Sequence, residues 1–213
     1  MKAKERMGAL ITLLEGLYPE AECALKYEGD PWKLLVMGRL SAQCTDARVN
    51  EVCKELFRQL PTVYDFATAD LALIEGLVRP CGLYRMKAKN LQDAARMLIT
   101  DYNGTVPDTM GELLKIPGIG RKIANLLLGD LYGKPAIVAD THCIRLAGRF
   151  GFVKKGEKDP FKVEMALAKI TPPEKSADFC HRIVFFGRDV CSARNPKCAG
   201  CPAAHLCKSK GSF

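Results

Sequence analysis

The chain predicts an all-α fold, and three features carry that expectation. Few segments alternate apolar and polar residues with period two; apolar residues instead recur three and four apart, as at Leu91, Ala94, Ala95, Leu98 and Tyr102. Prolines fall between such stretches, at Pro19, Pro31, Pro61, Pro80, Pro107, Pro135 and Pro172-Pro173. With 213 residues and 48% hydrophobic composition, the chain is long enough to bury a sizeable core, as one large domain or two small ones.

In chain order, periodicity and punctuation place helices near 2–17, 32–42, 46–59, 70–77, 84–102, 109–116, 120–132, 142–149, 159–170, 174–188 and 201–208. Basic residues precede the short apolar run from Gly8 to Leu14, but Glu15 ends it and no small-residue cleavage site follows. The first segment therefore reads as a helix of the folded protein and not as a signal peptide. No apolar run approaches membrane-spanning length, so a soluble, cytoplasmic protein is expected, nucleoid-associated if the source is bacterial. Thr45 or Asp46 suits the start of the third helix. Segment 120–132 is nearly apolar all round (Ile123, Ala124, Leu126, Leu127, Leu128, Leu131) and is expected to be central and buried. Asp140, just before Thr-His-Cys-Ile-Arg-Leu, is a good N-cap for helix 142–149, and His142 reads as a packing residue. The sequence contains no long linker, internal repeat or low-complexity segment.

Net charge is +8 and unevenly placed: residues 151–213 hold twelve Lys/Arg against six Asp/Glu, and no acid follows Asp189. This suits a polyanionic partner and suits ordinary solubility as well. The ten cysteines lack secretory context, which argues against a disulfide framework. Cys191, Cys198, Cys201 and Cys207 form C-x6-C-x2-C-x5-C. Four soft thiolates so close together suit either a [4Fe–4S] cluster or zinc, although structural zinc usually presents two short hooks and only one C-x-x-C occurs here. Cysteines 23, 44, 53, 81, 143 and 180 read as small buried hydrophobes.

The stretch Leu114-Lys-Ile-Pro-Gly-Ile-Gly-Arg-Lys-Ile-Ala-Asn125 interrupts the helical pattern for four residues. Pro117 cannot continue a helix, and Gly118 and Gly120 permit the tight reversal, with Ile116 and Ile119 turned inward. The amides of residues 118–121 then begin the next helix without intrahelical partners, placed to receive a phosphate oxygen, with Arg121 and Lys122 adding positive charge. Eighteen residues after Lys122 stands Asp140, within Val138-Ala-Asp-Thr-His142.

The hairpin resembles the helix-hairpin-helix motif, which binds DNA backbone without reading sequence. Together with Val-x-Asp-Thr-His it resembles the helix-hairpin-helix DNA glycosylases, most closely the endonuclease III family, over about Trp32 to Cys207. The resemblance implies a two-lobed fold: a six-helix lobe at 22–134 and an iron–sulfur lobe made of 1–21 and 135–213. It favours a [4Fe–4S] cluster on Cys191, Cys198, Cys201 and Cys207. It implies a bifunctional DNA glycosylase and abasic-site lyase that removes oxidised pyrimidines in base-excision repair.

In this reading Lys122 is the nucleophile, helped toward its neutral form by Arg121 and partial desolvation, and Asp140 assists deprotonation or stabilises charge on the sugar. Gln43, in Leu40-Ser-Ala-Gln-Cys-Thr-Asp46, fills the space of a flipped base, and Leu83, in Gly82-Leu83-Tyr84, wedges between bases. Gly118, Ile119, Gly120 and Arg121, with Arg194 and Lys197 of the cysteine loop, contact the DNA backbone. Asn195 departs from the lysine some relatives carry, which weakens one such contact. The expected partner is double-stranded DNA with damaged bases or abasic sites, bound by a monomer with no membrane role.

A monofunctional adenine-mismatch glycosylase is one rival. Those relatives lack the lysine and carry a glutamate where this chain has Arg39. A DNA-binding module with a structural metal is another, and the presence of both Lys122 and Asp140 argues against it.

Overall fold

A computed structural model describes residues 2–211. It is helical throughout, with no strand among the described residues. Backbone contacts divide the chain into two compact units, Met1–Glu22 with Gly133–Phe213, and Cys23–Tyr132.

The Cys23–Tyr132 unit contains seven of the eleven α-helices among the described residues. The first helix of the chain, α1 (Ala3–Leu17), lies in the other unit; α2 (Pro31–Leu40), α3 (Asp46–Gln59), α4 (Val63–Thr68), α5 (Leu71–Val78), α6 (Tyr84–Tyr102), α7 (Met110–Leu113) and α8 (Arg121–Tyr132) follow here. Local chemistry fixes most boundaries. Asp30 caps α2 through the Lys33 amide, with Pro31 in the first turn where a missing N–H costs nothing. Thr45 caps α3 through the Arg48 amide, and Thr109 caps α7.

Helix α4 was not visible in the apolar spacing, because six residues are too few to show a period. Its capping box was there to be read: the Thr62 hydroxyl accepts from the Asp65 amide and the Asp65 carboxylate from the Thr62 amide. Helix α7 is shorter than the expected 109–116, since Leu114 to Gly118 already belong to the turn.

The interior of this unit is built by α2, whose Leu34, Leu35, Val36, Met37 and Leu40 are all buried, and by the Leu91, Ala94, Ala95 and Leu98 stripe of α6. Trp32 meets Phe66 of α4 edge-on, with centroids 5.1 Å apart. Helix α8 crosses α2 at Gly38, where an added Cβ would sit 3.1 Å from Ile123 Cγ2. It is less enclosed than its sequence suggested: Ala124, Asn125, Leu127 and Leu128 are buried, whereas Ile123, Leu126 and Leu131 are half-buried.

The other unit joins α1 to α9 (Thr141–Phe150), α10 (Pro160–Ala168) and α11 (Ser176–Asp189). The reason is the stripe Met7, Leu10, Ile11 and Leu14, which a lone helix would expose. It is buried in one cluster with Leu146, Phe150, Val163, Leu167, Phe179, Ile183 and Phe186. Lys175 Nζ to Glu15 at 2.8 Å and the Arg182 guanidinium on the Tyr18 carbonyl at 3.2 Å tie α1 to the C-terminal third.

The helix expected over 201–208 does not form; only a 3₁₀ turn at Ala204–Leu206 is present. On an α-helix, Cys201 and Cys207 would point about 120° apart around the axis. In the folded loop both line one recess, which an irregular backbone allows. No helix of the described residues is long and apolar enough to cross a membrane.

Candidate functional site

The hairpin between α7 and α8 is the first element of the site. Ile116 and Ile119 are buried beneath it, at 2% and 6% exposure, while Gly118 and Gly120 face outward. Gly118 has φ +80°, and a Cβ there would lie 2.6 Å from Arg39 Nε and 2.9 Å from the Asn90 Cβ. Conformation and space both demand glycine. Arg39 is held beneath by Asn90 Oδ1 at 2.8 Å, so a buried guanidinium from α2 supports the turn. Burial lowers the pKa of Arg39 from its usual value.

The four amides expected to await a phosphate are not equivalent. Ile119 N–H donates to the Ile116 carbonyl at 3.1 Å, closing the reversal, so it is not a vacant donor. The amides of Gly118 and Gly120 take no backbone acceptor among the described residues, and the Gly120 carbonyl opens α8 by accepting from Ala124. Lys122 follows in the first turn of α8 and is exposed, beside a half-buried Arg121. The desolvation expected for this amine is therefore not supplied by its own surroundings in the protein.

Two further turns of the same unit carry Gln43 and Leu83. Both residues are exposed, and both adopt left-handed backbone, with φ 56° and 49°. Non-glycine residues in that region cost ~1–3 kcal/mol each and cluster where function holds them. Leu83 leaves 51% of its surface in water at the start of α6, as does Met86. Arg79 and Arg85 flank the adjacent Tyr84 ring at 5.8 and 5.6 Å, giving the apolar tip a basic surround. Sequence reasoning missed Lys87. It continues the apolar stripe of α6, four residues before Leu91, and a lysine in register with a buried stripe was the available signal.

In the other unit Asp140 caps α9: its Oδ1 accepts from the Cys143 amide at 2.7 Å, and its carbonyl accepts from Ile144. The side chain is half-buried, and among the described residues the Cys143 amide is its one hydrogen-bond partner. His142 Nδ1 lies 3.1 Å from Arg145 Nη2, in keeping with a structural histidine.

Cys191, Cys198, Cys201 and Cys207 line a single recess with Arg149, Phe150 and Phe186. Arg149, buried on α9, donates to Cys191 Sγ at 3.1 Å and to the carbonyls of Cys191, Ser192 and Ala193. Arg145 adds two bonds to the Cys191 carbonyl. Burial first, and then the neighbouring thiols, raise the Cys201 and Cys207 pKa values. No disulfide joins any cysteines among the described residues. Among the described residues no three or more His, Cys, Asp or Glu side chains gather as one metal ion needs. What the structure gives is four sulfur side chains lining one recess. Arg194 and Lys197 stand exposed on this loop, pinned by Lys197 N–H on the Val190 carbonyl and the Ser192 hydroxyl on the Asn195 carbonyl. Of the cysteines read as buried hydrophobes, 53, 81, 143 and 180 are buried, but Cys23 and Cys44 are only half-buried, each lying outside the closed helix stripes.

Comparison with known proteins bears on this arrangement. Residues 36–173 match the family described as HhH-GPD superfamily base excision DNA repair protein. The chain is 42% identical to endonuclease III of Synechocystis over 207 residues, 97% of this chain and 93% of that protein. It is likewise 42% identical to endonuclease III of Bacillus subtilis over 192 residues, 90% and 87% of the two chains. A solved non-covalent endonuclease III–DNA complex superposes with a TM-score of 0.93 at 41% identity, covering 100% of this chain and 98% of that one. A thermostable thymine-DNA glycosylase, at 21% identity and a TM-score of 0.88, shares the fold. With the hairpin, the capping aspartate and the cysteine recess in view, these matches show that the chain belongs to the HhH-GPD superfamily of base excision DNA repair proteins and, within it, to the endonuclease III family of DNA glycosylases.

Proposed function

We propose that this DNA glycosylase is bifunctional: it removes oxidised pyrimidines from double-stranded DNA and then cuts the strand through a Schiff base on Lys122. The observation that carries the reading is an exposed primary amine in the first turn of α8, directly behind a turn whose outward glycine amides suit a phosphate. A backbone phosphate held there would bring the adjacent sugar to the lysine.

Lys122 Nζ attacks C1′, and the glycosidic bond breaks with its electron pair leaving on the base, which takes up a proton. The carboxylate of Asp140 either takes the proton lost by the amine or, still ionised, stabilises the positive sugar while that proton goes to the departing base. Its backbone bond fixes one oxygen, so the other serves the reaction. Opening of the sugar gives the imine. Loss of a C2′ proton then expels the 3′ phosphate oxygen, which is β-elimination. Bound DNA supplies the desolvation that favours a neutral amine. Gln43 and Leu83 fill the gap left by the extruded nucleotide, and the Gly118 and Gly120 amides, Arg121, Arg194 and Lys197 hold backbone phosphates.

Purified protein should therefore release base and cut strand on a duplex carrying thymine glycol, and cut one with a preformed abasic site, while leaving undamaged duplex intact. Base release without any strand cut would support the monofunctional reading.

The cysteine recess fits a [4Fe–4S] cluster on Cys191, Cys198, Cys201 and Cys207, whose chemistry when bound is to cross-link the loop. Arg149 and Arg145 organise that loop from α9, which sets Arg194 and Lys197 toward solvent. Protein prepared anaerobically should be brown and hold about four irons per chain. Stoichiometric zinc without iron would rule the cluster out.

A further inference from the structure

We propose that Lys87 is a positioning residue that holds the Gln43 turn and the Leu83 turn at a fixed spacing, so that both side chains enter a duplex as one preformed unit. This rests on the reading of Gln43 and Leu83 as the groups that fill the gap of an extruded nucleotide.

Lys87 is completely buried, at 0% exposure, on the nineteen-residue helix α6. Its ammonium donates to three backbone carbonyls: Leu40 at 2.7 Å, Ala42 at 2.8 Å and Cys81 at 2.8 Å. A lysine ammonium has three donors and no acceptor, and all three are used. A neutral amine would turn a lone pair toward one of these oxygens, so the geometry selects the charged form even though burial lowers the Lys87 pKa, with the Cys81 and Cys44 thiols opposing.

The three carbonyls belong to two separate segments. Leu40 and Ala42 lie where α2 ends and its last carbonyls lose their helical partners; Cys81 lies in the 3₁₀ turn before α6. Each segment leads at once into a left-handed, exposed, non-glycine residue, Gln43 after Ala42 and Leu83 two after Cys81. The turns close themselves from the other side, Cys44 N–H on Ser41 and Gly82 N–H on Arg79. Lys87 is itself anchored to the second turn, its amide donating to the Leu83 carbonyl at 3.0 Å. One charge thus satisfies the carbonyls behind both tips and links them through a rigid helix.

Packing alone does not require this. An apolar side chain of similar length would fill the space, and a lone buried charge is a costly way to do so. What the charge supplies is a defined distance between two turns that are remote in sequence. Two independently mobile tips would each have to be ordered inside the DNA, whereas a prepared pair spares that entropy when the duplex opens.

The test compares the cluster-loaded wild type with Lys87→Met, Gln43→Ala and Leu83→Ala on two substrates: a duplex with thymine glycol paired to adenine, and the same duplex with a preformed abasic site. The expected result for Lys87→Met is a single-turnover excision rate on the paired lesion lowered by roughly tenfold to a hundredfold relative to its cleavage rate at the abasic site, where opening is already partly done. A 2-aminopurine beside the lesion should show less unstacking signal. Equal losses on both substrates would make Lys87 a merely structural residue and overturn the proposal. So would a wild-type ratio in Lys87→Met while Gln43→Ala and Leu83→Ala are impaired. If those two alanine variants themselves match wild type on the paired lesion, the reading of the tips fails instead.

Should Lys87→Met not fold, Lys87→Gln, which reaches fewer of the carbonyls, carries the same comparison. Wild-type hydrogen exchange is independent of any variant: the Cys44 and Gly82 amides, each corrected for its intrinsic rate, should show a common protection factor. Protection factors differing by an order of magnitude or more would overturn the coupling.

Discussion

Lys122→Ala is expected to lose both strand cleavage at an abasic site and the borohydride-trapped covalent complex, with duplex binding kept within a few-fold. The proposed reaction uses only the amine of this residue. It is exposed on the first turn of α8, so its removal leaves no cavity and no orphaned partner. The fold should melt as wild type does. Binding is expected to survive because the backbone contacts proposed for the outward glycine amides of the hairpin and the basic residues of the cysteine loop do not depend on the lysine. Borohydride reduces only an imine, so the trapped band reports the covalent bond directly. A trapped complex that persists in Lys122→Ala would mean that another amine is the nucleophile.

Asp140→Asn is expected to reduce base excision by ~10² or more, the contribution typical of a positioned acid–base or charge-stabilising group, while barely changing stability. This side chain has the cap seen in the structure and the chemical role proposed above, and the substitution separates them. The capping role needs an oxygen that accepts from the Cys143 amide, which asparagine retains, and asparagine caps helices about as well as aspartate. The chemical role needs a negative charge, which asparagine lacks. Asp140→Ala should lose both, with the cap worth ~0.5–2 kcal/mol. The comparison to make is thermal stability against single-turnover excision for the two variants. Normal excision by the folded fraction of Asp140→Asn, whatever its stability, would leave Asp140 as a cap alone.

Much of the fold was written in local chemistry. The hairpin followed from Pro117 and Gly118 because proline and positive φ act on their own residue, whereas Gly120 has neither a positive φ nor a crowded Cβ position. The caps at Thr45 and Asp140 followed because a side chain there reaches an amide three residues on. Long helices such as α6 followed from the recurrence of apolar residues. Where two local rules competed the outcome was less legible. Residues 201–208 have a helical composition, but two of the cysteines meant for one recess would diverge on a helix. The Ile119 amide reads as a helix-start donor and is taken by the Ile116 carbonyl, because a reversal this tight closes on itself.

By itself the sequence determined most of the helices, the family motifs and the candidate residues Lys122, Asp140 and the four cysteines, since each is a statement about residue type at short spacing. Tertiary structure alone decided which remote segments share an interior. It joined α1 to the C-terminal third, because the Met7, Leu10, Ile11 and Leu14 stripe is buried there among residues over a hundred positions away. It set Gln43 and Leu83 in left-handed backbone, which no propensity for glutamine or leucine favours. It also turned Lys87 inward onto the carbonyls of Leu40, Ala42 and Cys81. A lysine in a helix is ordinarily solvated. Only the packed chain brings three unpaired carbonyls to one point, and a buried ammonium with three donors is what satisfies them together.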